Sequence, residues 1–335
     1  SYTYEDLAIN FGGLECTQSG YFALEFTSNF TPEEITTICS VFEYLSTLFV
    51  SQATEIPIRI RKDALFAGAL AAGTEFYRAD TDGGGCGIEN SVIWEYINTD
   101  SDFGGILDDN YVVGRIDVSD TGSWHTLDMD TGPPNNPGVM NGDYDLYSIV
   151  LHEALHVLGF ASRITADGSP LNGFYTAWDR ELKGNTVSGY DDLLEGVTNG
   201  ACCDDHSYNG LSSPNQISYD CNSVQFAYGT NEQATVWGEY DAVDFPSENS
   251  FIVNVLSHLN GDCDNADYVM VSELADATAN RFVSTEEKGI LCQLGYQVLD
   301  GGIPACSTAC AVVAVNDLIF LSPDDLIVSG SPTPV

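Results

Sequence analysis

The amino-acid sequence predicts an α+β fold, with a twisted N-terminal sheet, a backing helix and a second, buried helix, followed by a largely irregular, disulfide-rich C-terminal subdomain. Three observations lead to this prediction. Strand-like runs lie before residue 120, two segments before residue 165 have helical periodicity, and residues 183–250 are rich in glycine, asparagine, serine and cysteine. With 335 residues, 44% of them hydrophobic, the chain is long enough to bury a full core.

The N-terminal elements are predicted from local signals. Residues 21–26 are rich in aromatic side chains and predict a strand. A helix is expected from Thr31 to about residue 50, because Thr31 and Glu34 form a capping box with Pro32 in the first turn. Three further strands are predicted at residues 56–61, 91–97 and 111–118.

The buried helix lies within residues 144–162 and carries a His-Glu-x-x-His pattern. His152 and His156 are four residues apart, so both imidazoles project from one helical face and can bind a divalent ion. Because nearly all neighbouring residues are apolar, the helix is expected to be buried, and a metal would satisfy its polar side chains. Glu153 would then serve as general base. Gly159 is predicted to end the helix.

The whole chain is predicted to divide into three segments. Residues 1–160 form an N-terminal lobe that ends in the zinc-binding helix, residues 161–300 form a C-terminal lobe, and residues 301–335 form a linker or the start of a following module. Within the C-terminal lobe, residues 174–182 are expected to be ordered and amphipathic, and a helix is predicted from Thr285 to just before Gly295.

The charge composition excludes several classes of partner. Ten Lys and Arg residues against 50 Asp and Glu residues give a formal net charge of −40. Such a surface repels nucleic acid and anionic lipid, so nucleic acid is not an expected partner. No apolar run approaches the roughly 20 residues needed to cross a bilayer, and membrane insertion is therefore not expected.

Ten cysteines are scattered along the chain without the Cys-x-x-Cys spacing of a structural zinc site. They predict disulfides formed in an oxidising compartment. Adjacent Cys202 and Cys203 are expected to bond to two different partners, and Cys306 with Cys310 is a plausible local bridge. The chain opens without a signal-peptide pattern, so we expect an already processed, secreted protein.

Paired aspartates in loops make calcium a second candidate ion. Carboxylates spaced two apart in turns can hold this cation. The pairs are Asp80 with Asp82, Asp100 with Asp102, and Asp128 with Asp130. None matches the twelve-residue calcium loop, so solvated turn residues are the favoured interpretation.

A catalytic zinc site needs a third protein ligand. Of the other three histidines, His125 is expected at a core edge or surface and His206 in a solvated turn, whereas His258 lies in a Leu-Ser-His-Leu-Asn segment shortly before Met270. Glu181 competes with His258, because thermolysin-like zinc peptidases use a glutamate at about this distance beyond the motif. Glu181 is disfavoured, since it would leave His258 and Met270 unexplained.

Three features together resemble leishmanolysin and its relatives among the metzincins. They are the Leu-Gly-Phe end of the helix, the distant histidine in a Ser-His context and the methionine after it. In that family an inserted subdomain moves the third zinc histidine far downstream, and Ser162 stands here where other metzincins carry that ligand. The resemblance implies a metzincin-like zincin fold with zinc held by His152, His156 and His258. It also implies that Met270 lies in a turn beneath the metal.

The motif and the resemblance predict a secreted zinc-dependent endopeptidase that acts as a monomer on protein or peptide substrates, with Glu153 activating a zinc-bound water. A strand within residues 111–118 is expected to align the substrate by strand addition. Two alternatives stay open. One is an extracellular binding or adhesion module with a structural or vestigial zinc site, and the other is a zinc hydrolase acting on a non-peptide amide.

Overall fold

The computed structural model describes residues 16, 20–27, 29–53, 55–65, 69–77, 88–99, 112–164, 174–186, 189–192, 194–195, 207–208, 224–228, 232–236, 256–272, 274–300 and 303–304. The α-helices in these residues are α1 (Pro32–Leu48), α2 (Val92–Thr99), α3 (Leu146–Val157), α4 (Ala177–Arg180), α5 (Gly261–Asp264) and α6 (Thr285–Gln293), and Leu127–Met129 forms a 3-10 turn. The strands are β1 (Phe22–Phe26), β2 (Ile56–Asp63), β3 (Ala71–Glu75), β4 (Ile88–Glu89), β5 (Gly114–Ser119), β6 (Trp124–His125), β7 (Tyr144–Asp145), β8 (Tyr175–Thr176), β9 (Leu182–Thr186), β10 (Gly189–Asp192), β11 (Leu194–Glu195), β12 (Ser207–Tyr208), β13 (Val224–Tyr228), β14 (Glu232–Thr235), β15 (Leu299–Asp300) and β16 (Ile303–Pro304).

A mixed four-stranded sheet lies in the N-terminal part of the fold, with strand order β1-β2-β5-β3. Strands β1, β2 and β5 are parallel, whereas β3 runs antiparallel to β5 at the edge. Helices α1 and α3 pack against each other, and α3 contacts both β3 and β5. The chain is therefore mixed α+β, and the strands predicted at residues 21–26 and 56–61 are confirmed as β1 and β2.

Helix α1 begins at the predicted capping box. The Thr31 hydroxyl accepts a hydrogen bond from the Glu34 amide at 3.2 Å, and the Glu34 carboxylate accepts one from the Thr31 amide at 2.7 Å. The helix buries Ile38, Val41 and Leu45 completely, which are spaced three and four residues apart on one face. The predicted backing helix is confirmed.

Residues 91–97 were predicted to form a strand, and this prediction is wrong, because they lie in helix α2. The aromatic and β-branched residues in this segment favour strand by intrinsic propensity. In the folded chain Ile93, Trp94 and Ile97 are buried on one helical face, and the Ser91 carbonyl accepts the amides of Trp94 and Glu95. Burial of this face outweighs the local preference.

The predicted strand at residues 111–118 is found as β5, which begins only at Gly114. Its predicted role of aligning a substrate by strand addition is wrong, because β5 pairs with β2 on one side and with β3 on the other. Both of its hydrogen-bonding edges are therefore occupied. The edge strands of the described sheet are β1 and β3, and the sequence analysis did not predict β3.

The region predicted to be irregular, residues 183–250, contains regular strands. A second four-stranded sheet has the order β10-β9-β13-β14 with antiparallel pairing throughout. Strand β13 alternates buried and partly exposed residues, with Val224, Phe226 and Tyr228 facing inward. The alternating segment is short and lies in a mostly polar region, so the strand could not be predicted from the composition of the sequence around it.

The predicted C-terminal helix is found as α6, although its N-cap is Ser284 rather than Thr285. Gly295 ends the helix region with a φ of +93°, as expected of a glycine just past a helix C-terminus. Tyr296 after it packs against Phe49 from the N-terminal part, with ring centroids 5.4 Å apart. One continuous buried core therefore joins the N-terminal and C-terminal elements.

Several predictions fall partly or wholly outside the described residues. Cys16 and Cys39 form a disulfide, while the bridges predicted for Cys202, Cys203, Cys306 and Cys310 lie outside them. The segment predicted at residues 301–335 is described only at 303–304. Among the described helices, none combines the length and the apolar character that a membrane crossing requires.

Candidate metal centre

Helix α3 is held at both ends by specific backbone and side-chain contacts. Asp145 caps its N-terminus, because its carboxylate accepts the Ser148 amide at 3.0 Å. At the C-terminal end Gly159 has a φ of +106°, and the Gly159 and Phe160 amides donate to the His156 and Leu155 carbonyls. These are the two hydrogen bonds of a Schellman motif. Gly159 therefore ends the helix as predicted.

The structure brings His152, His156 and His258 together. His258 Nε2 lies 3.2 Å from His156 Nε2 and 3.2 Å from His152 Nε2. The three residues are each partly exposed, and their ligand atoms all lie within 4.8 Å of one another. Two helical histidines and one from a segment about a hundred residues later thus point their nitrogens at a common point.

The segment that carries His258 is fixed by contacts on both sides. The Ser162 amide donates to the Ser257 hydroxyl at 2.8 Å, and the Trp178 indole donates to the Leu256 carbonyl at 2.8 Å. Ser162 therefore lies next to the segment that supplies the distant histidine.

The hydrogen bonds of the two helical histidines determine their tautomers. His152 Nδ1 lies 2.8 Å from the Val269 carbonyl, and His156 Nδ1 lies 2.6 Å from the Phe160 carbonyl. A carbonyl can only accept, so both Nδ1 atoms carry hydrogen and both Nε2 atoms present lone pairs. A neutral His258 could donate an Nε2 hydrogen to only one of them. A cation would satisfy all three nitrogens at once.

The two distances from His258 Nε2 to the helical histidines fit a tetrahedral metal ion. Two imidazole nitrogens bound to zinc at about 2.0–2.1 Å lie about 3.3 Å apart in tetrahedral geometry, close to the 3.2 Å found here. Imidazole donors also suit copper, iron and nickel, so the donor set alone defines a transition-metal site. Within the described part of the chain, these histidines are the one group of metal-binding residue types that converges in this way.

Burial keeps the helical histidines neutral. It lowers the pKa of His152 to about 4, against a weaker opposing effect of the Val269 carbonyl. The pKa of His156 is held well below its usual value by burial and by the neighbouring His152 and His258. Metal binding requires neutral imidazole, so both residues are ready to bind a cation at neutral pH.

No protein family, curated protein or solved structure matches this chain. The resemblance to leishmanolysin-like metzincins therefore rests on the quoted motifs alone. The functional argument depends on where the fold places their side chains.

Glu153 is 7% exposed and its carboxylate accepts a hydrogen bond from the Gly73 amide in β3. Burial raises the pKa of Glu153 to about 8, the Gly73 amide opposes this shift, and the charge of Asp117 adds to it. A cation bound at the neighbouring histidines would favour the carboxylate form again. The predicted general base is thus a buried carboxyl group whose charge depends on whether a cation is bound at the three histidines.

Gly73 permits an unusually close approach of β3 to α3. A Cβ atom at this position would lie 2.3 Å from the Glu153 carbonyl oxygen and 3.0 Å from His156 Cβ. Only glycine fits there without displacement of the strand. The sequence analysis did not identify Gly73, because no local pattern marks a glycine that touches residues eighty positions away.

Met270 is completely buried and lies in a turn between Tyr268 and Val271. The Met270 carbonyl accepts the Leu259 amide at 2.7 Å, and the preceding Val269 carbonyl is the group that orients His152. The predicted turn therefore adjoins both the His258 segment and the helical histidine.

The alternative ligands take other roles. Glu181 is paired with Arg180 at 2.7 Å and is not part of the histidine cluster. His125 is buried beside Asp130, with 3.0 Å between His125 Nε2 and Asp130 Oδ1, and Asp130 also binds Arg281. Asp130 is thus bound by Arg281 and His125, and the Asp128–Asp130 pair is not part of a converging cluster among the described residues. The two other aspartate pairs and His206 lie outside the described residues.

Proposed function

We propose that the protein is a secreted zinc-dependent endopeptidase with a metzincin-like arrangement of its site. The observation that carries the proposal is the convergence of His152, His156 and His258 beside the buried Glu153. Three protein ligands are typical of catalytic zinc sites, whereas structural sites use four. A carboxyl group next to the ligands is needed for catalysis and has no use in a purely structural site.

The residues of this chain would divide the chemistry between them. When bound, zinc would polarise the substrate carbonyl and lower the pKa of a water molecule in the site toward neutrality. Glu153 would take a proton from the attacking water and pass it to the nitrogen of the leaving amine. The Val269 and Phe160 carbonyls hold His152 and His156 so that their Nε2 lone pairs stay directed into the site.

The substrate backbone would pair with the edge of β3 that no described strand occupies, through groups other than the Gly73 amide, which donates to the Glu153 carboxylate. The Leu70 carbonyl accepts the Ser119 amide, and hydrogen-bonding direction alternates along a strand. Ala71, Gly73 and Glu75 therefore direct their backbone groups away from β5. Strand addition at this edge would place an extended peptide alongside Glu153, because Gly73 already contacts that carboxylate.

The extracellular location and the monomeric state are part of the same proposal. The Cys16–Cys39 disulfide and the even number of cysteines support folding in an oxidising compartment. A net charge of −40 supports a protein kept soluble and unassociated by self-repulsion.

The proposal is tested by metal analysis of the purified chain together with a casein or gelatin cleavage assay, with and without a chelator. We expect one zinc ion per chain and chelator-sensitive cleavage. Glu153→Ala should keep the zinc and the fold but abolish cleavage, whereas Glu181→Ala, which removes the rival ligand, should leave cleavage intact.

Other results would decide against the endopeptidase. Zinc without chelator-sensitive cleavage would favour the binding or adhesion module, and chelator-sensitive hydrolysis of small amides alone would favour a non-peptide hydrolase. Peptide cleavage that survives Glu153→Ala would disprove the mechanism.

A further inference from the structure

The peptide group between Val269 and Met270 makes two hydrogen bonds, one as acceptor through its carbonyl and one as donor through its N–H. Its carbonyl oxygen accepts the His152 Nδ1 hydrogen at 2.8 Å. Its N–H donates to Glu287 Oε1 at 2.8 Å. The imidazole, the peptide and the carboxylate thus form one continuous chain of hydrogen bonds.

Glu287 is completely buried in the first turn of α6. Its second oxygen, Oε2, accepts the Ser284 amide at 2.8 Å, and the Ser284 hydroxyl accepts the Glu287 amide at 3.0 Å. Both carboxylate oxygens are therefore held by backbone donors. A capping box accounts for the Ser284 contacts, but it does not require the bond to Met270.

The physical consequence concerns the basicity of His152. A carboxylate that accepts a peptide N–H polarises the peptide and makes its carbonyl oxygen a stronger acceptor. A stronger acceptor at Nδ1–H raises the electron density at Nε2 and fixes the ring orientation. Metal-bound histidines commonly donate their second N–H to a carbonyl or to a carboxylate, and here a carbonyl is backed by a carboxylate through one peptide.

We infer that Glu287 is a positioning residue for the metal centre, acting on His152 through the Val269–Met270 peptide. This inference rests on the proposed metal site, but it does not depend on peptidase activity. It also gives α6 a function beyond packing, since the N-terminal turn of that helix supplies the carboxylate.

The test compares Glu287→Gln with Ser284→Ala in the full chain. Glu287→Gln keeps a side-chain oxygen that can accept the Ser284 amide, and Ser284→Ala removes only the hydroxyl that accepts the Glu287 amide, so both variants should fold with at most a modest loss in melting temperature. Only Glu287→Gln removes the carboxylate behind the peptide, and the comparison is made above pH 8, because burial raises the pKa of Glu287 to about 7. We expect its zinc affinity, measured by competition with a chromogenic chelator, to fall about 10- to 100-fold. Ser284→Ala should stay within about twofold of the wild-type zinc affinity, since it leaves the Glu287 bond to Met270 in place.

A spectroscopic readout separates this role from loss of folding. With Co²⁺ in place of zinc, the visible absorption bands of Glu287→Gln should shift, while those of Ser284→Ala should match the wild type. If Glu287→Gln does not fold, Glu287→Asp, which keeps the charge but shortens the side chain by one methylene, should still bind zinc more weakly than Ser284→Ala.

Two results would overturn the inference. One is equal zinc affinity and equal Co²⁺ spectra in the Glu287 and Ser284 variants. The other is a nitrogen-15 spectrum of the metal-free wild type in which His152 does not carry its hydrogen on Nδ1. A chain that binds zinc with the predicted dependence on Glu287 but cleaves no peptide would refute the proposed function and leave this inference standing.

Discussion

The close approach at Gly73 allows the sharpest prediction about this site. Gly73→Ala would place a methyl group 2.3 Å from the Glu153 carbonyl oxygen, so β3 must move away from α3. The neighbouring atom is backbone in the middle of a buried helix and cannot yield easily. The movement would also weaken the hydrogen bond from the Gly73 amide to the Glu153 carboxylate.

The expected cost follows from these two effects. Overpacking of a well-filled interior costs about 1–3 kcal/mol, and loss of a hydrogen bond to a charged group costs about 1.5–3 kcal/mol. Gly73→Ala should therefore lower the free energy of unfolding by about 2.5–6 kcal/mol. A displacement near 1 Å at the reacting groups lowers rate constants about 100-fold. We expect a loss of about that size in kcat/KM for peptide cleavage.

The assay combines urea unfolding, zinc content and peptide cleavage. Ala72→Ser is the matched control, because it adds one atom to the same strand on the opposite face of the sheet. Ala72→Ser should stay within about 0.5 kcal/mol of the wild type in stability. Zinc content should be unchanged in Ala72→Ser and close to one ion per chain in Gly73→Ala, because the added methyl group lies closer to the Glu153 carbonyl oxygen than to His156. If Gly73→Ala kept both stability and kcat/KM at wild-type levels, the proposed contact between β3 and the general base would be wrong.

Three further perturbations test other parts of the structure. His258→Ala should lower zinc affinity by more than about 100-fold while the chain stays folded, as measured by chelator competition and circular dichroism, because it removes a direct ligand; unchanged zinc affinity would exclude His258. Arg281→Met should lower the free energy of unfolding in urea by about 3–5 kcal/mol, because Arg281 is 3% exposed and its loss leaves buried Asp145 without its cationic partner. The control Lys288→Ala, which breaks an ion pair with exposed Asp300, should lower it by less than about 1 kcal/mol. In the metal-free chain the pKa of Glu153 is raised to about 8, so the protonated group gives a stabilising contribution that is full below the unfolded pKa near 4.5 and is lost as the pH rises through 8. Glu153→Gln should remove this loss of stability, which amounts to up to about 1.4 kcal/mol per pH unit. Parallel curves of stability against pH for the two proteins between pH 5 and 8 would contradict this prediction.

The helix that carries the motif could be predicted from sequence because its determinants are local. The spacing of His152 and His156, the glycine at 159 and the apolar residues between them act within about four turns of chain. The same holds for α1, whose capping box joins residues three positions apart. Such signals do not depend on which part of the chain packs nearby.

The elements that sequence analysis missed are those whose character depends on distant partners. Helix α2 has the composition of a strand and becomes helical because its buried face fits the core. Strand β3 carries mostly small residues and is defined by its pairing with β5. The second sheet joins strands separated by long polar stretches, so no single window of sequence reveals it.

The third histidine lies between these two cases. His258 could be named as a candidate because the chain has only five histidines and the context of His258, before Met270, resembles the third ligand of leishmanolysin-like metzincins. Its position, 102 residues from His156, could be known only from the fold. Glu181 and His258 were both candidates by sequence, and packing of the 256–259 segment against α4 places His258, and not Glu181, with the two helical histidines.

By itself the sequence determined the helix of the candidate centre, the residue types that could bind a metal and the acidic character of the whole chain. The tertiary structure decided which distant groups meet that helix: Gly73 against Glu153, the Val269 carbonyl against His152, and Glu287 behind it. The physical reason is one of range. Helix caps and residue spacing act along the chain, whereas hydrogen bonds and close packing between remote segments exist only once the core has formed.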